Sequence, residues 1–181
     1  MITNDHIATV TSDYLAHYPG DKDRLRLLLD ALDDANALAT RERLSGHATA
    51  SAYVVDNAGR VLFIEHKALG TLLQPGGHTE PEDQDLIGAA RREVGEETGL
   101  TELTVMNGQS APVWIDIHTI PHSVAKNEPE HDHYDFQFVF TVTGEQTVTL
   151  QDEEVDGYQW VSVEDMPEGE VKARLTTVLA T

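Results

Sequence analysis

Residues Pro75 to Leu100 read PGGHTEPEDQDLIGAARREVGEETGL, and the rest of the chain is best understood outward from them. A proline and two glycines open a loop. The spacing then predicts a helix from about Asp85 to Thr98, ended by Gly99, which tolerates the left-handed backbone that closes a helix. Ile87, Ala90 and Val94 repeat at helical spacing and form its apolar stripe. Glu93, Glu96 and Glu97 stand at i, i+3 and i+4, so the three carboxylates share one side. That side lies beside the apolar stripe, whereas solvated charges normally lie opposite it. Crowded carboxylates repel one another, and partial burial makes this worse. A hard divalent cation with oxygen ligands relieves the repulsion.

Taken alone, these glutamates describe a solvated helix face. The double glycine, the Arg92-Glu93 pair and Gly99-Leu100 add a pattern. The stretch resembles the signature of the Nudix hydrolase (MutT-like) family, G-x5-E-x7-R-E-U-x-E-E-x-G-U with U aliphatic. Gly77 takes the first glycine. Arg92, Glu93, Val94, Glu96, Glu97, Gly99 and Leu100 follow at the right relative spacing. The chain departs once: the early acidic position falls on Asp83, and eight residues then precede Arg92 in place of seven. Counting back from Arg92 gives Gln84 instead. In the family that residue braces the loop and the arginine.

The resemblance implies an α/β/α sandwich with a mixed sheet over residues 46–181. It also implies hydrolysis of a diphosphate linked to another group, usually on a nucleoside. Mg²⁺ or Mn²⁺ would be held by Glu93, Glu96 and Glu97 with a carbonyl of Gly76 or Gly77, and Arg92 would orient the carboxylates. Glu153 and Glu154, in an acidic run before a late strand, are candidates for a further metal contact or the base; a solvated loop is the plain alternative. Which carboxylate is the base stays open.

The chain has 181 residues, enough for one domain and an appendage. It has no cysteine, which removes disulfides and thiolate chemistry and fits a reducing cytoplasm. The start, MITNDHIATV, is not a secretory signal, and no apolar run is long enough to span a membrane. A formal net charge of −20 opposes nucleic acid and anionic membranes. It equally opposes a phosphate substrate, so a small nucleoside diphosphate derivative needs local cations, such as bound metal.

Residues 1–45 read as a helical hairpin. Ile7, Val10, Tyr14 and Tyr18 mark the first helix, and Pro19-Gly20 break it. Asp21 is placed to cap the second, where Leu25, Leu28, Leu29, Leu32 and Ala35 form a stripe. The hairpin packs on the main domain or on a second subunit, which leaves a homodimer open.

Beyond it, ATASAYVV (48–55) predicts a strand and Asp56 to Gly59 a hairpin turn into a strand at 61–65. His47 and His66 flank the pair and read as surface or capping residues. Further strands are expected at 103–106, 111–117, 134–142 and 158–161, with short strand material at 149–150. Ser162 to Asp165 reads as a capped helix start, and Val171, Leu175 and Val178 as a short amphipathic helix.

His78, Asp116, His118, His131, His133 and Asp135 are a candidate substrate-binding set. Asp116 and His118 alternate along one strand, and His131, His133 and Asp135 along the start of another. Neutral imidazoles would bind metal, imidazolium a phosphate; a solvated loop is the alternative.

Other classes compete with a hydrolase. A Nudix-fold nucleotide sensor without hydrolysis would be expected to carry a degraded signature and a DNA-binding appendage. This chain has the full glutamate set and acidic helices. Isopentenyl diphosphate isomerase shares the superfamily fold but depends on cysteine. A purely structural protein would leave the carboxylates idle.

Overall fold

A computed structural model describes every residue except 35–36, 68–69, 125–127, 145–146 and 152–154. The chain forms α1 (Asn4–His17), α2 (Arg26–Leu32), β1 (Gly46–Val55), β2 (Arg60–His66), β3 (Thr71–Leu73), β4 (Gly76–His78), α3 (Leu86–Thr98), β5 (Leu103–Val105), β6 (Trp114–Ile120), β7 (His131–Val142), β8 (Val155–Ser162) and α4 (Glu170–Leu179). The strands make one mixed sheet. At its centre β1 and β7 run parallel, from Gly46 opposite Asp132 to Val55 opposite Thr141. On the far side of β7, β6 pairs antiparallel with its first half and β5 with its end. The first half of β1 pairs with β4, and only Val55 meets β2, which pairs instead with β8 and β3.

Alternation along the two central strands assigns a helix layer to each face. Ala48, Ala50, Ala52 and Val54 point one way, with Tyr134, Phe136, Phe138 and Phe140, into a core shared with Leu86, Ala89, Ala90 and Val94 of α3. The register sets each small residue against a large one: Ala48 opposite Tyr134, Ala50 opposite Phe136, Ala52 opposite Phe138. Small facing large lets the layer fill without voids. On the other face Tyr53, Val55 and Val139 pack with Val163, Met166, Leu175 and Val178 under α4. This is the expected α/β/α sandwich. Among the described residues, no helix is long and apolar enough to cross a membrane.

The N-terminal hairpin joins the α3 side. Ile7, Tyr14, Leu25 and Leu28 are fully buried in that core, and Leu32 packs against it. Asp21 does not cap α2, which starts at Arg26 with no side-chain cap. Two guanidinium groups compete for its carboxylate: Arg24 donates at 2.7 Å and Arg174 at 3.0 Å, and the Tyr14 hydroxyl donates as well. Arg24 and Arg174 also lie 3.8 and 4.8 Å from the centre of the Trp114 ring. One ion cluster thus ties the hairpin to α4 around β6.

Other differences share one cause, polar residues doing strand work. β6 runs to Ile120, beginning at Trp114 rather than Ala111, and β7 starts at His131. Asp116, His118, His131, His133 and Asp135 alternate with buried Ile115, Tyr134 and Phe136 and partly buried Ile117, so a polar composition hides a two-sided strand. No strand forms at 147–150. There the Thr149 and Gln151 amides donate to the carbonyls of Thr98 and Glu97, which satisfies the last turn of α3. Ser162 caps nothing; a 3₁₀ turn, Val163–Asp165, follows it, and α4 begins after Gly169.

Candidate functional site

The carboxylate helix is fixed at both ends. Asp85 Oδ1 accepts from the Gly88 amide at 2.7 Å, and Gly99 closes α3 at φ 70°. With Ala90 and Val94 held in the core, the glutamates come out at graded depth. Glu97 is 3% exposed, Glu93 is half-buried and Glu96 lies outermost. The short strand β4 comes up against them. A Cβ on Gly76 would sit 2.2 Å from Ser51 Cβ, and one on Gly77 would sit 2.7 Å from Glu93 Oε2. Only glycine allows that approach. It lets the Gly76 amide donate to Glu97 Oε2 at 2.9 Å.

Arg92 is the hub. Its Nη1 donates to Glu93 Oε1 at 2.9 Å and to Glu96 Oε2 at 3.0 Å. Its Nη2 donates to the His78 carbonyl at 2.8 Å and to Asp83 Oδ2 at 3.0 Å, while Nε donates to Asp83 Oδ1 at 3.2 Å. The fork of a guanidinium can do this; an ammonium cannot. Burial works against the charge, yet Asp83 and Glu93 raise the Arg92 pKa above its ordinary value. Asp83 is buried and also accepts from the Glu80 amide at 2.7 Å. Gln84 is exposed and donates only to the Glu82 carbonyl. Asp83 therefore braces the arginine. The extra residue is taken up between it and the Asp85 cap.

The donor set suits a hard divalent ion. Glu93, Glu96 and Glu97 offer only oxygen, and the glycine strand leaves a space that a Cβ at Gly77 would fill. Arg92 and Gly76 hold these carboxylates in place without drawing them into one tight cluster. Among the described residues, ligand atoms from three side chains converge within 4.8 Å only at His47, His78 and His133.

That second cluster lies on the other face of β1 and β7, by alternation with Ala48 and Tyr134. The expected histidines come together. His118 and His133 are register partners with rings 5.4 Å apart, and His131 and His133 face each other at 3.2 Å between Nε2 atoms. His78 stands edge-on to His133, ring centres 5.1 Å apart. Asp116 accepts from His118 Nδ1 at 2.9 Å, which lowers the Asp116 pKa and raises that of His118.

Asp135 does not join them. It lies deeper, accepting from Thr49 at 3.0 Å, Ser51 at 2.7 Å and Gln137 at 3.0 Å. Burial raises its pKa against those three donors. His47, expected before the strand as a surface or capping residue, is placed differently. It sits inside β1, 3% exposed, at the centre of the histidine group. Its phase with Thr49 and Ser51 was the available signal. Burial lowers the pKa of His47, His78 (to about 4) and His133 (to about 3). Glu153 and Glu154 lie outside the described residues.

Comparison with known proteins identifies the family and fold of the chain. The NUDIX domain family matches residues 46–180. A probable DHNTP pyrophosphohydrolase of Lactococcus lactis subsp. cremoris is 35% identical over 80 residues, 44% of this chain and 45% of that protein. The match thus spans less than half the length of that relative. A hydrolase of the NUDIX family from Clostridium perfringens is 27% identical, with a TM-score of 0.53 over 74% of this chain and 96% of that one. A C. elegans Ap4A hydrolase in a binary complex shares the fold, with 20% identity and a TM-score of 0.56 over 74% of this chain and 97% of that one.

Proposed function

The chain belongs to the NUDIX domain family, and on that premise we propose that it is a metal-dependent pyrophosphohydrolase that opens the diphosphate of a nucleoside diphosphate derivative by water attack on phosphorus. The observation that carries this is the Arg92 hub, which fixes Glu93, Glu96, the His78 carbonyl and Asp83 at once. Mg²⁺ or Mn²⁺, when bound by Glu93, Glu96, Glu97 and a carbonyl of Gly76 or Gly77, would neutralise phosphate charge and lower the pKa of the attacking water. The chain's own residues supply position. Arg92 spreads two carboxylates and offsets part of their repulsion, so they are preorganised before any ligand arrives. Glu97, anchored by the Gly76 amide, registers the loop against the helix. A net charge of −20 would repel the substrate, and bound metal answers that repulsion locally.

We read residues 1–45 as an extension and 46–181 as the catalytic unit. The family match, which begins at Gly46, supports this division.

A panel of diphosphates with Mg²⁺ or Mn²⁺ and product identification tests the reading. It should include dihydroneopterin triphosphate and Ap4A, after the names of the similar proteins. Metal-dependent release of phosphate, pyrophosphate or a mononucleotide is expected. Nucleotide binding with no product from any member would instead mean a sensor.

A further inference from the structure

Five imidazoles crowd at the start of β1 and β7, on the face away from the carboxylates. His47, His78 and His133 come from three different strands, yet their ligand atoms all lie within 4.8 Å of one another. Their rings are 4.8 to 5.1 Å apart.

Two features separate this from a chance gathering of aromatic rings. The first is an unpartnered nitrogen. His47 Nδ1 meets the Arg43 carbonyl at 3.4 Å. A carbonyl only accepts, so Nδ1 carries the hydrogen and Nε2 keeps its lone pair. That Nε2 is buried and has no hydrogen-bond partner among the described residues, on a side chain only 3% exposed. Such an atom costs free energy unless something binds it. The second is outer support. His131 Nδ1 donates to the Pro129 carbonyl at 2.8 Å and His118 Nδ1 to Asp116 at 2.9 Å. His131 thereby keeps a lone pair on Nε2, which accepts from His133 Nε2 at 3.2 Å and leaves the Nδ1 lone pair of His133 for a metal. This is the kind of outer bond by which ligating histidines are held.

We propose that His47, His78 and His133 form a second metal site, for a borderline divalent ion of the zinc type, separate from the carboxylate site. Neutral imidazole suits zinc, cobalt, nickel or copper and is a poor match for Mg²⁺. With their other nitrogens committed as donors, His47 presents the lone pair of Nε2 and His133 that of Nδ1. Three neutral ligands leave the full charge of the ion uncompensated and a fourth tetrahedral position for water or an anion. His78 and His133 are only half-buried, so that position faces the open side. The site is coupled to the signature, because the carbonyl of His78 is held by Arg92.

Untagged, full-length protein stripped of metal is titrated with Zn²⁺ in excess Mg²⁺, and with Co²⁺ as a visible-absorbing probe. One tight Zn²⁺ per chain and a tetrahedral Co²⁺ spectrum are expected. His47→Gln and His133→Gln should each weaken Zn²⁺ binding at least about a hundredfold, above the range for outer-shell changes. Glu97→Gln should leave it intact. If His47→Gln does not fold, ¹⁵N histidine spectra of the wild type still decide: Zn²⁺ must shift the imidazoles of His47, His78 and His133. No tight Zn²⁺ in the wild type, shifts at other histidines, or loss with Glu97→Gln and not with His133→Gln would overturn the site. None of these readouts needs a substrate, so the site can fail while the hydrolase reading stands, and the reverse.

Discussion

Arg92 and His47 sit at the centres of two clusters built on opposite principles. Around Arg92, charge is paired with charge: one guanidinium serves three side-chain carboxylates within fourteen residues of sequence and one backbone carbonyl. Around His47, charge is excluded: the rings are pushed towards neutrality by burial and by one another. The first cluster is assembled by one helix and the loop before it. The second needs β1, β4 and β7 to be in register. Local sequence can therefore specify the first almost alone, while the second exists only once the sheet has formed. The difference also sorts ligand chemistry, oxygen on one side of the sheet and nitrogen on the other.

The largest effect should come from the carboxylate side. Glu97→Gln keeps the size of the side chain and an oxygen that can accept from Gly76, but its amide is a poor ligand for a hard cation. kcat on the best diphosphate with Mg²⁺ should fall at least about a hundredfold, the scale of a lost catalytic electrostatic contact. A folded variant with near wild-type turnover would remove Glu97 from the chemistry.

The bracing of Arg92 sharpens the same side. Asp83→Asn halves the carboxylate fork beneath the guanidinium and leaves a buried group poorly paired. It should cost about 2–3 kcal/mol in urea unfolding, below the range for breaking a fully buried pair. Gln84→Ala should stay within about 0.5 kcal/mol, as an exposed change does. Equal losses would mean that the arginine is not braced from Asp83.

Those two residues also mark where the sequence could be read. Arg92 to Leu100 was legible because a single helix fixes relative positions. The early acidic residue was not, because one inserted residue made Asp83 and Gln84 equal candidates until the loop path chose. On the sheet, the Asp116–His118 and His131–His133 pairs were legible as alternation along a strand. His47 was not, since its partners lie 31 and 86 positions away in strands whose register no local pattern encodes. Asp135 was grouped with the histidines by the same alternation, but depth within the sheet depends on Thr49, Ser51 and Gln137, which no periodicity names.

The two glycines divide stability from positioning. Gly76→Ala would drive a Cβ to 2.5 Å from Ser51 Cα, and backbone cannot give way cheaply. It should lower stability by about 1–3 kcal/mol, the usual cost of overpacking. Gly77→Ala has its nearest contacts at the tip of the Glu93 side chain, which can give way more cheaply than backbone. Its stability loss should be smaller, with kcat falling more than stability explains. Chemical denaturation and steady-state kinetics on both variants separate the two. A Gly77→Ala enzyme with full kcat would show that the position of Glu93 is not critical.

The smallest effect lies within the histidine cluster, between His118 and its neighbour His133. Asp116 raises the His118 pKa above 6.5, so the folded state binds that proton more tightly than the unfolded chain. Its contribution to stability is fully present below pH 6.5 and lost as pH rises through the raised folded value. Asp116, lowered from 3.8, loses its share as pH falls through its own folded value, so the pair acts between those limits. Both side chains are more than a third exposed, at 46% and 39%, and water screens them. The pair should be worth under about 1 kcal/mol near pH 6 and less as pH rises through the folded His118 value. His133 has the opposite sign. Burial lowers its pKa to about 3, so below pH 6.5 the unfolded chain takes up a proton that the folded state refuses, and stability drains as pH falls. Histidine NMR titration of metal-free protein reads both: His118 should titrate above 6.5, while His133 stays neutral to well below pH 5. If His133 titrated near 6.5 beside His118, the rings would be solvated, and the contrast between a charge-pairing cluster and a charge-excluding one would fail at its second member.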